Sequence, residues 1–140
     1  YKNRFFELSV LTWLPEHRTP IHDHAGQRCW MFIDSGELTV KNFAFPRTDE
    51  FQLKPLGPVE VLEAGERVYV DDSLSLHSIT NASSRPAVSV HLYAGPIESC
   101  RVYNEATRCL EKKELSYLTE GVWSPQGELI ESRLCEPLIF

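Results

Sequence analysis

The chain has 140 residues, 42% hydrophobic and 24% charged, which suits one folded domain over residues 1–140 with its own core and excludes intrinsic disorder. Fourteen Lys and Arg against twenty Asp and Glu leave a net charge of −6, which argues against nucleic acid or an anionic membrane as partner, since both require a basic patch. The apolar runs fall far short of the ~20 residues a membrane span needs, and no charged-then-apolar export leader is visible, so a cytoplasmic protein is expected.

The pattern is β nearly throughout. Phe5 to Leu14 is a β-rich run closed by Pro15, and Gln27 to Ile33 is a second. Asp34-Ser35-Gly36 is a turn leading into Glu37–Phe43. The stretch Ala44–Pro58, with Pro46, Pro55, Gly57 and Pro58, reads as the one long loop. Two-residue alternation marks Val59-Glu60-Val61-Leu62-Glu63, and Ala64-Gly65 turns the chain into Arg67–Val70. Leu76–Thr80, a loop at Asn81–Pro86 and a strand at Ala87–Tyr93 follow, and Glu105–Leu118 is read as a hairpin rather than a helix. Short strands separated by Gly, Pro, Asn, Asp and Ser indicate an all-β sandwich or barrel. Cys29, Cys100, Cys109 and Cys135 follow no C-x-x-C spacing, so free, mostly buried thiols in a reducing compartment are expected, with no structural zinc held by cysteine.

Five histidines carry the chemical signal. His22-Asp23-His24 places two imidazoles at i and i+2, so on an extended segment both rings point to one side and Asp23 to the other. His77 opens His77-Ser78-Ile79-Thr80-Asn81 on a later strand. Three neutral imidazoles converging in a barrel would form a facial metal site with open positions opposite, and their donor set suits Zn, Fe, Ni or Cu alike. An isolated H-x-H also arises by chance. Ser89, His91 and Tyr93 share one face of their strand, with Val90 and Leu92 on the other. This is either a relay of hydroxyl, imidazole and phenol or a buried hydrogen-bond ladder without chemistry. His17, in a polar turn, is expected to be exposed and uninvolved. Leu11 and Trp13 are candidates for an apolar wall near the metal or for plain core packing.

These residues resemble the cysteine dioxygenases, thiol dioxygenases of the cupin superfamily. Thr19-Pro20-Ile21-His22-Asp23-His24 is similar to the family's first metal motif. The segment Val70-Asp71-Asp72-Ser73 through Leu76-His77-Ser78 resembles the one that carries its third ligand. Pro86-Ala87-Val88-Ser89-Val90-His91-Leu92-Tyr93 resembles its Ser-His-Tyr strand, followed by Glu98-Ser99-Cys100. The resemblance spans Phe5 to Tyr103. It implies a small antiparallel cupin-type, jelly-roll-like β-barrel in which His22, His24 and His77 hold Fe(II) and L-cysteine and O2 are the substrates, the product being cysteine sulfinic acid. A monomer is expected.

The same resemblance assigns Ser89, His91 and Tyr93 to a catalytic relay. It also places Cys29 where animal-type members carry a cysteine joined by a thioether to the relay tyrosine, in place of the glutamate ligand of the general cupin pattern. Many bacterial thiol dioxygenases have glycine there, so Cys29 favours cysteine over 3-mercaptopropionate as substrate. A small-thiol dioxygenase of the latter kind and a non-catalytic metal-binding cupin are the alternatives. Two family glycines are replaced, one by Glu16 and one by Leu74 or Ser75. The family's carboxylate-binding arginine follows a helical segment. Arg4 lies too close to the first core strand to match it, so that arginine and the leading helices are expected to lie before Tyr1.

Overall fold

The computed structural model describes residues 1–46, 53–73 and 75–115, together with the strands Thr119–Trp123 and Leu129–Leu134. Among these residues there are eleven strands and no helix, hence no helix long and apolar enough to cross a membrane. The strands are β1 (Glu7–Trp13), β2 (Cys29–Ser35), β3 (Glu37–Phe43), β4 (Pro55–Glu63), β5 (Arg67–Val70), β6 (Leu76–Thr80), β7 (Ala87–Tyr93), β8 (Ser99–Asn104), β9 (Cys109–Glu114), β10 (Thr119–Trp123) and β11 (Leu129–Leu134). All pairings between them are antiparallel.

One sheet has the order β1-β7-β2-β5 and another the order β4-β3-β6. The two face each other, because one buried cluster draws Trp13, Met31, Ile33 and Ala87 from the first and Leu38, Val40, Leu62 and Ile79 from the second. Alternation in β7, where Ala87, Ser89, His91 and Tyr93 are buried and Leu92 is exposed, follows from the two-residue period of a strand with one face to the core. Burying each of Met31, Ile33 and Leu38 at 1% exposure or less contributes roughly 1.5–3 kcal/mol of favourable transfer.

The chain passes from the first sheet to the second at Gly36, which has φ +75. A Cβ there would lie 2.7 Å from that of Ala87, so this corner has room only for glycine. The long loop expected over Ala44–Pro58 is shorter than its composition suggests, for β4 already begins at Pro55. The physical reason is position. Among the described residues β4 pairs only with β3 and forms the edge of its sheet, where a missing proline N–H removes no ladder bond. The register also shifts between Val40 and Asn42, opposite Gly57 at φ +69.

Glu16, at the place of a family glycine, keeps the left-handed conformation with φ +69, so the turn persists although the residue has changed. The hairpin expected over Glu105–Leu118 lies earlier in the chain: β8 and β9 pair around residues 105–108, so the expected span holds only the turn and β9, and its residues 116–118 lie outside the described residues. Cys29 and Cys100 are buried free thiols and Cys109 is an exposed one, while Cys135 lies outside the described residues.

Candidate metal centre and buried relay

The H-x-H segment is extended but belongs to no named strand. It is instead bridged on both sides. His22 exchanges both backbone hydrogen bonds with His77 of β6, at 2.9 and 3.0 Å, and also bridges to Val102 of β8. This double pairing brings the imidazoles of His22 and His77 together across the whole middle of the chain. His24 follows on the same side, and the three ring centroids lie 4.6, 4.7 and 5.5 Å apart. One nitrogen from each ring can be chosen so that all lie within 4.8 Å of one another, so the three side chains could hold a metal ion.

Burial lowers the pKa of all three histidines below 6.5. For His24, burial and then the neighbouring His22 and His91 bring it down to about 3. The rings are therefore neutral at pH 7 and keep a lone pair for a metal. The Nδ1–H of His22 donates to the carbonyl of Pro20 at 2.9 Å, which assigns the lone pair to Nε2. That Nε2 faces His77 Nε2 at 3.3 Å. Two nitrogens held ~2.0–2.1 Å from one ion are ~3 Å apart, so the pair fits a shared first-row metal.

Asp23 points away from this centre. It is buried at 1% exposure, and its carboxylate accepts from the amides of Ala25 and Arg101 and from the Arg101 guanidinium. Burial raises its pKa, but these hydrogen bonds, led by the Arg101 amide, outweigh that and leave it lowered. Asp23 thus ties β8 to the metal motif rather than serving as a ligand. Asp72 supports the other side, accepting from the amides of His24 at 2.7 Å and Gly26 at 2.5 Å. Burial raises its pKa, with the two amides opposing.

The polar face of β7 is buried, with Ser89 at 0%, His91 at 3% and Tyr93 at 8% exposure. Trp13 Nε1–H donates to Ser89 Oγ at 2.8 Å, and Ser89 Oγ lies 2.8 Å from His91 Nε2. The Ser89 hydroxyl accepts from the indole and pairs with His91 Nε2, so it links Trp13 to His91 across the buried face. Burial, aided by His22, brings the His91 pKa down to about 4, so the ring is neutral. His91 Nδ1 faces Cys29 Sγ at 3.9 Å, and the His91 and Tyr93 rings lie nearly parallel with centroids 6.1 Å apart.

Cys29 is the direct cross-strand partner of Tyr93. The neighbouring Ala94 amide donates to the Arg28 carbonyl at 2.9 Å, so 28–94 is a hydrogen-bonded pair and 29–93 is the closer, non-hydrogen-bonded kind. Ala25 at φ +52 and Gly26 at φ +85 reset the strand parity after His24, which is why Cys29 faces inward. Burial pushes the Cys29 thiol up to about 12, with the Tyr93 hydroxyl hydrogen bond opposing, so the sulfur stays protonated. Tyr93 also lies beside His24, with ring centroids 5.6 Å apart, so the polar face of β7 reaches the histidine cluster.

Matching against protein families finds the Cysteine dioxygenase type I model over residues 2–106. The chain belongs to the cysteine dioxygenase type I family. Among its curated relatives, the cysteine dioxygenase type 1 of Danio rerio is 35% identical over 90% of this chain and 61% of its own length. The cysteine dioxygenase type 1 of Homo sapiens is 32% identical over 89% of this chain and 63% of its own. The chain thus spans about three fifths of the length of these relatives.

Solved structures extend the fold relationship well beyond the cysteine dioxygenases. A Klebsiella pneumoniae protein with a double-stranded β-helix domain matches with TM-score 0.53 at 17% identity, over 73% of this chain and 77% of that one. An oxalate oxidase matches with TM-score 0.54 at 18% identity, over 68% of this chain and 44% of that one. At such identities the likeness establishes the cupin-type fold alone.

Against the family motifs, His22, His24 and His77 come together, as do Cys29, Ser89, His91 and Tyr93. His17 is exposed, and so is Arg4, whose guanidinium lies 4.5 Å over the Phe5 ring. Leu11 and Trp13 pack in the main core, with the Trp13 indole also bonded to Ser89. Sequence reasoning missed Asp72, Arg101 and the indole of Trp13 as supports. Asp72 stands in the segment that resembles the family's third-ligand motif, but no spacing rule marks it out from Asp71.

Proposed function

We propose that the chain acts as a non-haem iron thiol dioxygenase converting L-cysteine and O2 to cysteine sulfinic acid, with His22, His24 and His77 holding Fe(II). The observation that carries this reading is the place of Tyr93, between the three-histidine cluster and the buried Ser89–His91 pair. A barrel that only stored a metal would have no use for a proton relay ending there. Three neutral imidazoles leave the charge of the ion uncompensated, which favours an anionic thiolate as substrate. Iron bound there would supply a centre that lowers the thiol pKa and activates O2.

The remaining chemistry belongs to the chain. Trp13 and Ser89 hold the His91 ring by hydrogen bonds, and His91 packs beside Tyr93 and Cys29; in this reading the Tyr93 hydroxyl would serve the bound substrate. Cys29 supports cysteine as the thiol, since animal-type members of the family carry a cysteine there. The free thiols of Cys29, Cys100 and Cys109 support a reducing, cytoplasmic setting.

The direct test is anaerobic reconstitution with Fe(II), followed by O2 uptake with L-cysteine and, in parallel, with 3-mercaptopropionate. Uptake equimolar with L-cysteine is expected, and oxygen-18 gas should place both atoms in the sulfinate. Faster turnover of 3-mercaptopropionate would reassign the substrate. No uptake with either thiol would leave a metal-binding cupin without this chemistry.

Two outcomes follow for the relay. Tyr93→Phe should retain iron while turnover slows by roughly 10–100-fold, because the hydroxyl acts outside the ligand set. Unchanged kinetics would reduce Tyr93 to a packing role. The Cys29–Tyr93 pairing further predicts a thioether, in which a carbon–sulfur bond replaces the thiol S–H and one ring C–H and the two hydrogens pass to O2. Intact mass after turnover should fall by ~2 Da in a reductant-resistant product, and both Cys29→Ser and Tyr93→Phe should abolish the change. An unaltered mass after repeated turnover would remove the bond from the reading.

A further inference from the structure

We propose that Asp72 is the positioning residue of His24, orienting its ring through the main chain of the H-x-H turn and receiving its Nδ1–H when the centre is loaded. This rests on the metal-centre reading above. Asp72 sits in the loop between β5 and β6, five residues before His77, and its side chain is 10% exposed. Its two oxygens are divided between two amides of one turn, Oδ1 on His24 and Oδ2 on Gly26. The carboxylate therefore couples the segment carrying His24 to the segment carrying His77.

The decisive feature is the His24 ring. Its Nδ1 is buried without a hydrogen-bond partner and lies 3.7 Å from Asp72 Oδ1, the oxygen already bonded to the His24 amide. A charge-assisted N–H···O bond closes at ~2.7–2.9 Å, so a ring shift of under ~1 Å completes it. His22 already has the equivalent bond, from Nδ1 to the Pro20 carbonyl. The two histidines of the motif would then be oriented alike, each with Nδ1 held by an acceptor and Nε2 left for the shared ion. His22 uses a neutral carbonyl and His24 an anion, which makes His24 the more basic donor.

The test uses the metal-free protein titrated anaerobically with Co(II) against a chromophoric chelator, comparing wild type with Asp72→Asn. Asparagine keeps the shape and one acceptor for the turn but removes the anion. Affinity is expected to fall by about 10–100-fold and the Co(II) ligand-field band to shift, while the metal-free variant retains a cooperative melt. A turn-supporting role alone would lower the melting temperature without moving the band. Wild-type uptake of Co(II) with an Asp72→Asn variant that matches it in affinity and band overturns the role of Asp72 alone. Failure of the wild type to take up Co(II) overturns the metal centre and this role with it. Should Asp72→Asn not fold, long-range proton–nitrogen NMR of the Zn(II)-loaded wild type decides. A downfield, slowly exchanging Nδ1 proton on His24 is the expected result, and protonation at Nε2 or coordination through Nδ1 overturns the proposal.

Discussion

Replacing His77 by alanine is expected to abolish iron binding and thiol-dependent O2 uptake together while leaving a folded barrel. The ring is 2% exposed and its Nε2 faces that of His22 at 3.3 Å, so its loss removes one of three donors and leaves two. The backbone of His77 keeps its paired hydrogen bonds to His22, which do not depend on the side chain. Affinity should therefore fall by more than the ~10–100-fold that follows loss of an outer partner. His22→Ala and His24→Ala should behave in the same way. His17→Ala should match wild type, since His17 lies exposed on the turn between Leu14 and Asn81. Metal content after anaerobic reconstitution and dialysis, measured beside the O2 electrode, provides the check. A His77→Ala variant retaining wild-type iron content would remove the third ligand.

Among Gly26, Gly36, Gly57, Gly65 and Gly95, Gly36 is the one whose change to alanine should cost the most stability. The added Cβ would meet the Ala87 Cβ at 2.7 Å, the Ala87 Cα at 2.8 Å and the Pro86 carbonyl at 2.9 Å, all on backbone or on a side chain that cannot move aside. The residue would also be held at φ +75. Left-handed strain of ~1–2 kcal/mol and overpacking of ~1–3 kcal/mol together give roughly 2–5 kcal/mol. For a chain of this size that corresponds to a fall of roughly 5–15 °C in melting temperature. Gly65→Ala is the internal control, because Gly65 has φ +92 but nothing within 4 Å of an added Cβ. Equal melting temperatures for the two variants would show that the corner yields and that packing at Ala87 does not hold it. The corner also bears on the site, for Ala87 begins the strand that carries Ser89, His91 and Tyr93.

Much of this protein is determined locally and is legible in the sequence. Alternation assigns β7 and its polar inner face, because side-chain direction in a strand has a period of two whatever the strand pairs with. The same locality makes His22 and His24 share a side, and it places turns at Asp34-Ser35-Gly36 and Ala64-Gly65, where glycine supplies a positive φ. Family motifs then name the histidines, the relay and Cys29. What depends on pairing across the chain is decided only in three dimensions. The prolines that read as a loop belong to β4 because that strand lies at a sheet edge, and edge position is a property of the assembled sheet. His22 meets His77 through a backbone bridge, and Cys29 meets Tyr93 in a non-hydrogen-bonded pair, because register between distant strands sets both. The two-residue period already turns Asp23 from the histidines, but the partners of the Asp23 and Asp72 carboxylates are set by the fold. Each is claimed by amides that folding alone brings within reach, Arg101 for one and His24 and Gly26 for the other.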